Sequence, residues 1–309
     1  MRIGFFVMAL TLVTAGMAIG QEAGQWSAGP DGPAPRAEMA VAQEGSVAYL
    51  VGDVFGATEI LAFDMADETW STGPALPASM HHPMAAALDG KLYVFGGYDL
   101  RWTVLGETWI LDLATGDWSE GAAMPTPRGA GAAVVLDGRI HVISGNAVRS
   151  ENSPAHEIYD PATDSWSEAA PIPTPRDHLG LVVIAGEIVA MAGRVGGDPT
   201  YNLDVVEIYD PETDSWREGA PVPSARSGVA AVALDGLAYV FGGETRQVTF
   251  AEAEAYDPAA DAWTALPPLP TPRHGFGAAT HEGRIYTLMG APNAGADSST
   301  LVEILTPTE

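Results

Sequence analysis

The side chains of this sequence that could carry chemistry are concentrated in short loops after proline-rich segments. Four of the seven histidines lie there, namely His81, His82, His178 and His274. Imidazole transfers protons near neutral pH and is a good ligand for copper and zinc, so these loops are candidates for acid–base chemistry or metal binding. The alternative is that they are solvated polar side chains. No paired spacing on one strand supports a metal site, and we predict none.

A second group of candidates follows apolar segments that end in glycine, such as "LYVFGG" at residues 92–97. It consists of Tyr98, Arg101, Trp102, Asn146, Arg149, Arg194, Glu244 and Arg246. An arginine fork donates two parallel hydrogen bonds to a carboxylate, and aromatic rings stack on the apolar face of a sugar. We therefore predict that this group and the four histidines bind a ligand. His82, His178 and Glu244 are the candidates for proton transfer.

Both groups recur because the sequence is a sixfold repeat. Six of its eight tryptophans recur at intervals of 44 to 50 residues, namely Trp26, Trp70, Trp118, Trp166, Trp216 and Trp263. Ten residues after each comes Arg36, Met80, Arg128, Arg176, Arg226 or Arg273. Fixed offsets in six copies indicate a repeat architecture. We interpret the arginines as mainly structural, and Met80 with the adjacent double histidine as a local specialisation of one repeat.

Each repeat reads as four short strands. In residues 132–143 two strands flank an Asp-Gly turn, and "EIYDPATDSW" at residues 157–166 reads as a strand, a turn and a strand. Four strands in each of six repeats, without helical periodicity, predict an all-β fold of radially arranged antiparallel sheets, a six-bladed β-propeller. The loops entering the blades and those after the glycines then share one face, at the mouth of the central channel.

The ends of the chain predict ring closure. The segment "VEILTP" near the C-terminus matches "VEIYDP" of an earlier repeat, but the chain ends before the tryptophan that should pair with Leu305. Trp26 is the missing partner, so the N-terminal strand is expected to complete the last blade. The predicted blades are approximately residues 31–74, 75–122, 123–170, 171–220, 221–267, and 268–309 with 21–30.

The apolar run ending in Gly-Gly, the spaced Tyr and Trp, and the Pro-x-Pro-Arg segment resemble the kelch repeat over nearly all of residues 26–309. The resemblance implies a six-bladed kelch propeller, a fold that serves both as a protein-binding module and as an enzyme scaffold. Some secreted bacterial kelch propellers are sialic-acid mutarotase-epimerases. Kelch copper radical oxidases depend on a tyrosine cross-linked to a cysteine, and this sequence has no cysteine.

Composition narrows the partners and the compartment. The net charge of −26, with Lys91 as the only lysine, disfavours nucleic acid and anionic membranes. Residues 1–20 have a basic start, an apolar run and small residues at the end, which predicts a cleaved signal peptide before the propeller of residues 21–309. A retained membrane anchor is the alternative. We therefore expect a secreted or periplasmic protein without membrane insertion after cleavage.

Three functions remain open. The first is a binding module that recognises a carbohydrate or protein partner at the channel mouth. The second is a carbohydrate-active enzyme like the mutarotase-epimerases, with His178 or His82 and Glu244 transferring protons and Arg194 holding a carboxylate. The third is a structural component of the envelope. None of the three requires a cofactor, and we predict none; the sequence leaves the oligomeric state open.

Overall fold

The computed structural model describes residues 24–148 and 151–308. Within these ranges the chain forms six four-stranded antiparallel sheets arranged as the blades of a propeller. The strands of the first two blades are β2 (Ala40–Glu44), β3 (Val47–Val51), β4 (Glu59–Asp64), β5 (Thr69–Ala75), β6 (Met84–Leu88), β7 (Lys91–Phe95), β8 (Thr108–Asp112) and β9 (Trp118–Gly121). Those of the next two are β10 (Ala132–Leu136), β11 (Arg139–Ile143), β14 (His156–Asp160), β15 (Ser165–Glu168), β16 (Gly180–Ile184), β17 (Glu187–Met191), β18 (Val206–Asp210) and β19 (Ser215–Glu218). Those of the last two are β20 (Ala230–Leu234), β21 (Leu237–Phe241), β22 (Ala253–Asp257), β23 (Ala262–Ala265), β24 (Gly277–His281), β25 (Arg284–Leu288), β26 (Val302–Thr306) and β1 (Gln25–Ala28).

Two small elements lie in the loops of the channel-mouth face. A hairpin of β12 (Asn146–Val148) and β13 (Glu151–Asn152) follows β11, and a single 3₁₀ turn (Pro199–Tyr201) follows β17. The innermost strands β2, β6, β10, β16, β20 and β24 surround the channel and line it mainly with alanine and valine. The polar candidate residues therefore lie at the mouth, and most side chains that line the channel behind them are small and apolar.

The predicted ring closure is confirmed. The last blade has the order β1-β26-β25-β24, so the N-terminal strand forms its outer edge. Trp26 is paired with Leu305 across β1 and β26, as the repeat spacing requires. A closed ring leaves each blade packed against two neighbours, which holds the loops at the channel mouth in fixed relative positions.

Side chains of the outer strands and turns join neighbouring blades. The indole Nε1 of Trp166 donates to the carbonyl oxygen of Ala122 in the preceding blade at 2.8 Å, and Trp216 and Trp263 make the same contact. Asp164 accepts hydrogen bonds from the Tyr159 hydroxyl and from the Ala122 backbone N–H. The aspartates of these far-face turns thus act in turn and blade packing.

Four of the motif arginines are buried in ion pairs that hold the entry loops. Each guanidinium contacts a glutamate on the third strand of its own blade, the pairs being Arg128–Glu157, Arg176–Glu207, Arg226–Glu254 and Arg273–Glu303. Arg128 also donates to the carbonyl oxygens of Ser144, Thr126 and Val142. These arginines are anchors, and each directly precedes the loop residues that form the channel mouth.

Blade 2 replaces this ion pair with an apolar contact. Met80 is buried in the cluster against which Trp109 packs, and Trp109 stands where Glu157 stands in blade 3. Since both partners are exchanged, no unpaired charge is left behind. The departure at Met80 is therefore an alternative anchor for the loop that carries His81 and His82.

The predicted signal peptide, residues 1–20, lies outside the described residues. Among the residues that are described, no helix is long and apolar enough to cross a membrane.

Candidate functional site at the channel mouth

Backbone bridges bring the two groups of candidate residues together. In five blades an entry-loop residue is bridged to a residue after the glycine pair, giving His81–Tyr98, Gly129–Asn146, Asp177–Arg194, Ser227–Glu244 and His274–Ala291. Between Asp177 and Arg194 both N–H groups donate to the opposite carbonyl at 2.9 Å. Histidines and post-glycine residues that are far apart in sequence are thus held side by side.

The next residue of each entry loop belongs to a closed ring of backbone hydrogen bonds, which we call the axial ring. Its members are Glu38, His82, Ala130, His178, Gly228 and Gly275. Each N–H donates to the carbonyl oxygen of the ring member in the preceding blade at 2.8–3.0 Å. The side chains of this ring are therefore presented around the channel axis.

All six members of the axial ring have left-handed backbone, with φ between 52° and 68°. This conformation costs a residue other than glycine about 1–2 kcal/mol, which the ring hydrogen bonds offset. Gly275 also leaves room for its neighbour, because a Cβ there would lie 2.9 Å from Oε1 of Glu38. The Glu38 carboxylate thus occupies space that a side chain at Gly275 would fill.

Three imidazoles converge on the carboxylate of Glu38. Its Oε2 lies 3.1 Å from Nε2 of His82 and 3.7 Å from Nε2 of His178, and its Oε1 lies 3.4 Å from Nε2 of His274. Burial raises the pKa of Glu38, but the charge of His82 and hydrogen bonds from His274 and His82 outweigh burial and hold it well below the usual value. Glu38 is therefore a carboxylate at neutral pH.

A second network surrounds Arg194. Its Nε donates to Oδ1 of Asp177 at 3.1 Å, its Nη1 to Oε1 of Glu244 at 2.7 Å, and its Nη2 lies 2.8 Å from Nε2 of His178. Nδ1 of His178 lies 2.6 Å from Oδ1 of Asp177. Burial lowers the pKa of His178 and the charge of Arg194 lowers it further. His178 is therefore a neutral imidazole with its Nδ1 proton directed at Asp177.

His274 and Glu244 connect the two networks. Nε2 of His274 lies 3.4 Å from Oε2 of Glu244 and at the same distance from Glu38. Burial lowers the pKa of His274, but the hydrogen bond and charge of Glu38, with the charge of Glu244, give a net increase. A continuous chain of titratable groups therefore crosses the channel mouth.

His81 is held from outside this network. Its Nε2 lies 3.1 Å from the carbonyl oxygen of Asp99, and its Nδ1 lies 2.6 Å from Nδ1 of His82. Burial lowers the pKa of His81 to about 4, with a further decrease from His82. His81 is thus neutral near pH 7 and orients the ring of His82.

A cavity of about 250 Å³ opens beside this network, lined by Tyr98, Trp102, Asn146, His178, Arg194, Gly196 and Gly197. Trp102 is 41% exposed, whereas Tyr98 and Asn146 are buried. The cavity thus combines an aromatic wall with polar groups, as small-molecule sites do. His178 also lines a smaller cavity of about 100 Å³ on the axis, together with Glu38 and His82.

Two of the other predicted residues lie away from this cavity. Arg101 is exposed, and Arg246 is exposed and paired with Asp198 through Nε at 2.7 Å. Arg149 lies outside the described residues. The structure brings together His81, His82, Tyr98, Trp102, Asn146, His178, Arg194, Glu244 and His274.

Two residues at the centre of the site are absent from the sequence-based set. Glu38 contacts three of the histidines, and Asp177 orients both His178 and Arg194. A signal for Glu38 exists in the sequence: it stands twelve residues after Trp26, the offset that also gives His82 from Trp70 and His178 from Trp166. Asp177 shares the offset of His81 in the same way.

This arrangement offers two kinds of chemistry. His178 and Glu38 are acceptors within hydrogen-bond reach of donors, as proton transfer requires. Within the described ranges, two sets of groups also have their ligand atoms within 4.8 Å of one another, Glu38–His82–His178 and Glu38–Glu244–His274. Both sets share Glu38.

The fold and site together define a six-bladed β-propeller with a polar constellation at one channel mouth. The family model described as KLHDC2/KLHL20/DRC7 Kelch-repeats domain matches residues 125–290, and the Kelch motif matches residues 82–125. The first match spans more than half of the chain, and the chain belongs to the kelch-repeat family.

A solved structure titled "Structure of YjhT" is similar to this chain, with a TM-score of 0.78 and 17% sequence identity. The likeness covers 89% of this chain and 96% of that one. At this identity it shows the shared fold. No curated protein matches the sequence.

Proposed function

We propose that this protein is a secreted or periplasmic binding module whose channel mouth holds a small polar ligand, with a single sugar unit as the best-fitting class. The observation that carries the proposal is the cavity of about 250 Å³, which is lined by Trp102 and by the polar side chains of Asn146, His178 and Arg194. Ligand pockets usually measure about 300–1,000 Å³, so a cavity just below that range favours a small ligand. Trp102 supplies a stacking surface, and the opposite side supplies hydrogen bonds.

The charges favour a neutral ligand over a strongly anionic one. Arg194 is already bonded to the carboxylates of Asp177 and Glu244, and Arg246 is bonded to Asp198. A ligand carboxylate would have to compete with these carboxylates for the same guanidinium groups. This argues against the expectation that the arginines make the face a clamp for acidic sugars.

The rim of the channel mouth offers additional contact surface, so the sugar unit could belong to a larger partner such as a glycan or a protein that carries one. Within the described residues, the exposed large hydrophobic side chains are Phe55, Leu100, Trp102, Val148, Val195, Tyr201 and Val248. All of them lie in loops that follow the glycine positions, on the channel-mouth face. An apolar rim around a polar centre is typical of an interaction surface.

The test is equilibrium binding of neutral and acidic monosaccharides to the purified protein by calorimetry. We expect Trp102→Ala to weaken the binding of a neutral sugar by about tenfold, since an aromatic contact contributes up to about 1.5 kcal/mol. Tyr201→Ala is the matched control, because Tyr201 is exposed on the same face but does not line the cavity. Absence of sugar binding by the unaltered protein, or equal loss in both variants, would refute the proposal.

A second candidate is a mutarotase-like or epimerase-like enzyme that acts on the bound sugar. The observation favouring it is the neutral His178, oriented by Asp177 and lining the cavity. Anomer exchange of the bound sugars, followed by NMR, separates the two functions. A rate increase that His178→Gln removes would identify an enzyme, and an unchanged rate would leave the binding module.

A further inference from the structure

We propose that the Glu38 carboxylate and the imidazoles of His82 and His178 form a binding site for a divalent transition-metal ion such as Zn²⁺. The three ligand atoms come from three blades and lie within 4.8 Å of one another on the channel axis. Two imidazoles and one carboxylate are a common ligand set for zinc that leaves a coordination position for water or substrate.

The distances fit a shared ion after small side-chain movements. Oε2 of Glu38 lies 3.1 Å from Nε2 of His82 and 3.7 Å from Nε2 of His178. Zinc–ligand bonds of about 2.1 Å place neighbouring ligand atoms roughly 3.4 Å apart in a tetrahedron. The axial ring fixes the backbone of all three residues, so the ligand atoms are already assembled.

The surroundings of His178 leave a lone pair on Nε2, which accepts a hydrogen bond from Nη2 of Arg194 at 2.8 Å. Nδ1 of His178 donates its proton to Asp177, which leaves Nε2 unprotonated in the neutral ring. A carboxylate that orients a metal-binding histidine in this way is a recurrent outer partner in zinc sites. Arg194 contacts the same Nε2 and would give up this one contact while keeping Asp177 and Glu244.

A chain of contacts determines which nitrogen of His82 faces Glu38. The carbonyl oxygen of Asp99 accepts only, so Nε2 of His81 donates to it and Nδ1 of His81 is left as an acceptor. Nδ1 of His82 must then donate to Nδ1 of His81. Nε2 of His82 faces Oε2 of Glu38 at 3.1 Å, and a metal ion bound between these two atoms would replace the proton of their hydrogen bond.

The local charge also favours a divalent cation. The carboxylates of Glu38, Asp177 and Glu244 carry three negative charges and Arg194 carries one positive charge, so −2 remains to be balanced by imidazole protons or by a bound cation. Excess charge in a buried site is costly unless a counterion is present. One divalent ion balances this charge, and metal ions generally compete with protons for the same ligands.

The competing ligand set is Glu38, Glu244 and His274, and the experiment must separate the two. The probe is Zn²⁺ titrated into the purified protein by calorimetry, with Co²⁺ as a spectroscopic replacement whose absorption reports coordination. We expect one Zn²⁺ per chain, at least tenfold weaker binding in Glu38→Gln and His82→Gln, and a clearly smaller loss in His274→Gln, because His274 contacts Glu38 but is not a ligand in this set. His281→Gln, at a partly exposed histidine near a turn, is the matched control.

Asp177→Asn tests the site through a residue that orients His178 but is not itself a ligand. It should change the metal affinity without changing the ligand set that the Co²⁺ spectrum reports. Loss of an outer partner typically weakens metal binding by 10–100-fold, so we expect a loss in that range with the Co²⁺ spectrum retained. Absence of Zn²⁺ binding, full binding in Glu38→Gln or His82→Gln, or loss in His274→Gln alone would overturn the proposal. Because the probe is the metal alone, its failure is independent of sugar binding.

Discussion

At the scale of single residues, the site depends on which side chains occupy equivalent positions of the repeat. Glu38, His82 and His178 stand at one offset from their tryptophans and share one left-handed backbone conformation. Ala130, Gly228 and Gly275 occupy the remaining three positions and contribute little or no side chain. The constellation is thus asymmetric although the backbone ring that carries it is nearly sixfold.

A second pair of histidines, His141 and His156, is buried away from the channel mouth and affects stability instead of ligand binding. His141 and His156 are buried, with Nδ1 of His141 2.8 Å from Nε2 of His156. Burial lowers the pKa of His141 to about 4, with a further decrease from Arg139. Burial also lowers the pKa of His156 to about 3, with a further decrease from His141. The remaining charged groups that act on the pair are Asp137, Asp214 and Arg128.

This pair predicts acid sensitivity of the fold. Both folded-state pKa values lie below the value near 6.5 of an unfolded chain, so the unfolded chain takes up protons first as the pH falls. The free energy of unfolding is therefore highest above pH 6.5 and decreases as the pH falls toward 4. In this pH range each histidine lowers the free energy of unfolding by about 1.4 kcal/mol per pH unit. We expect urea unfolding at pH 7 and pH 5 to show a smaller pH dependence in His141→Val/His156→Val, which copies Val189 and Val206 of blade 4.

His281→Val is the control for that comparison, because it also removes a histidine but one that is only partly buried and lies outside this interface. An equal pH dependence in the unaltered protein and the double variant would show that the His141–His156 pair does not control acid stability.

At the scale of elements, the entry loops are held by an anchor that takes three chemical forms. Four blades use a buried arginine–glutamate pair, and blade 2 uses Met80 with Trp109. Blade 1 differs again, since Arg36 lies 3.7 Å from the exposed Glu59 and Leu61 occupies the inner glutamate position. The anchor therefore requires complementary partners more than it requires charge.

This view predicts a strong coupling within one blade. Arg226→Met alone should lower the free energy of unfolding by about 3–5 kcal/mol, because it leaves Glu254 buried without a partner. Adding Glu254→Leu should recover most of the loss, since methionine and leucine occupy these positions in blades 2 and 1. Urea unfolding of the single and double variants measures the coupling.

The control is Arg217→Met, which breaks a half-exposed ion pair with Glu187 and should cost less than about 1 kcal/mol. If the double variant is as unstable as Arg226→Met, the loss of stability does not come from the unpaired charge of Glu254, and the prediction is wrong.

At the scale of the whole molecule, the architecture could be predicted from sequence because it is repeated. The six tryptophan offsets, the Asp-Gly turns and the unpaired Leu305 are enough for the blades and their closure. The site could be predicted only in part, since four histidines stand out among seven but Glu38 is one of 40 acidic residues. Its repeat offset matches those of His82 and His178, but its role depends on the hydrogen bonds of the axial ring, which join different blades and are not visible within any one repeat.

Ring closure is the feature on which the whole molecule depends. Trp26 donates to the carbonyl oxygen of Pro267 at 2.8 Å, so β1 ties the last blade to its neighbour as well as completing its sheet. Without β1, the outer edge of β26 would expose unpaired backbone groups that can pair with another chain.

Deletion of residues 21–30 should therefore lower the melting temperature by roughly 10 °C and promote aggregation. Loss of a large packed tryptophan costs about 3–5 kcal/mol, and each kcal/mol shifts the melting temperature of a large domain by about 2–4 °C. The control, Gln25→Ala/Ser27→Ala, changes two exposed side chains of β1 but keeps its backbone pairing. Calorimetric melting of both variants gives the comparison. An unchanged melting temperature in the deletion would mean that three strands suffice for the last blade, and that the chain termini do not hold the ring closed.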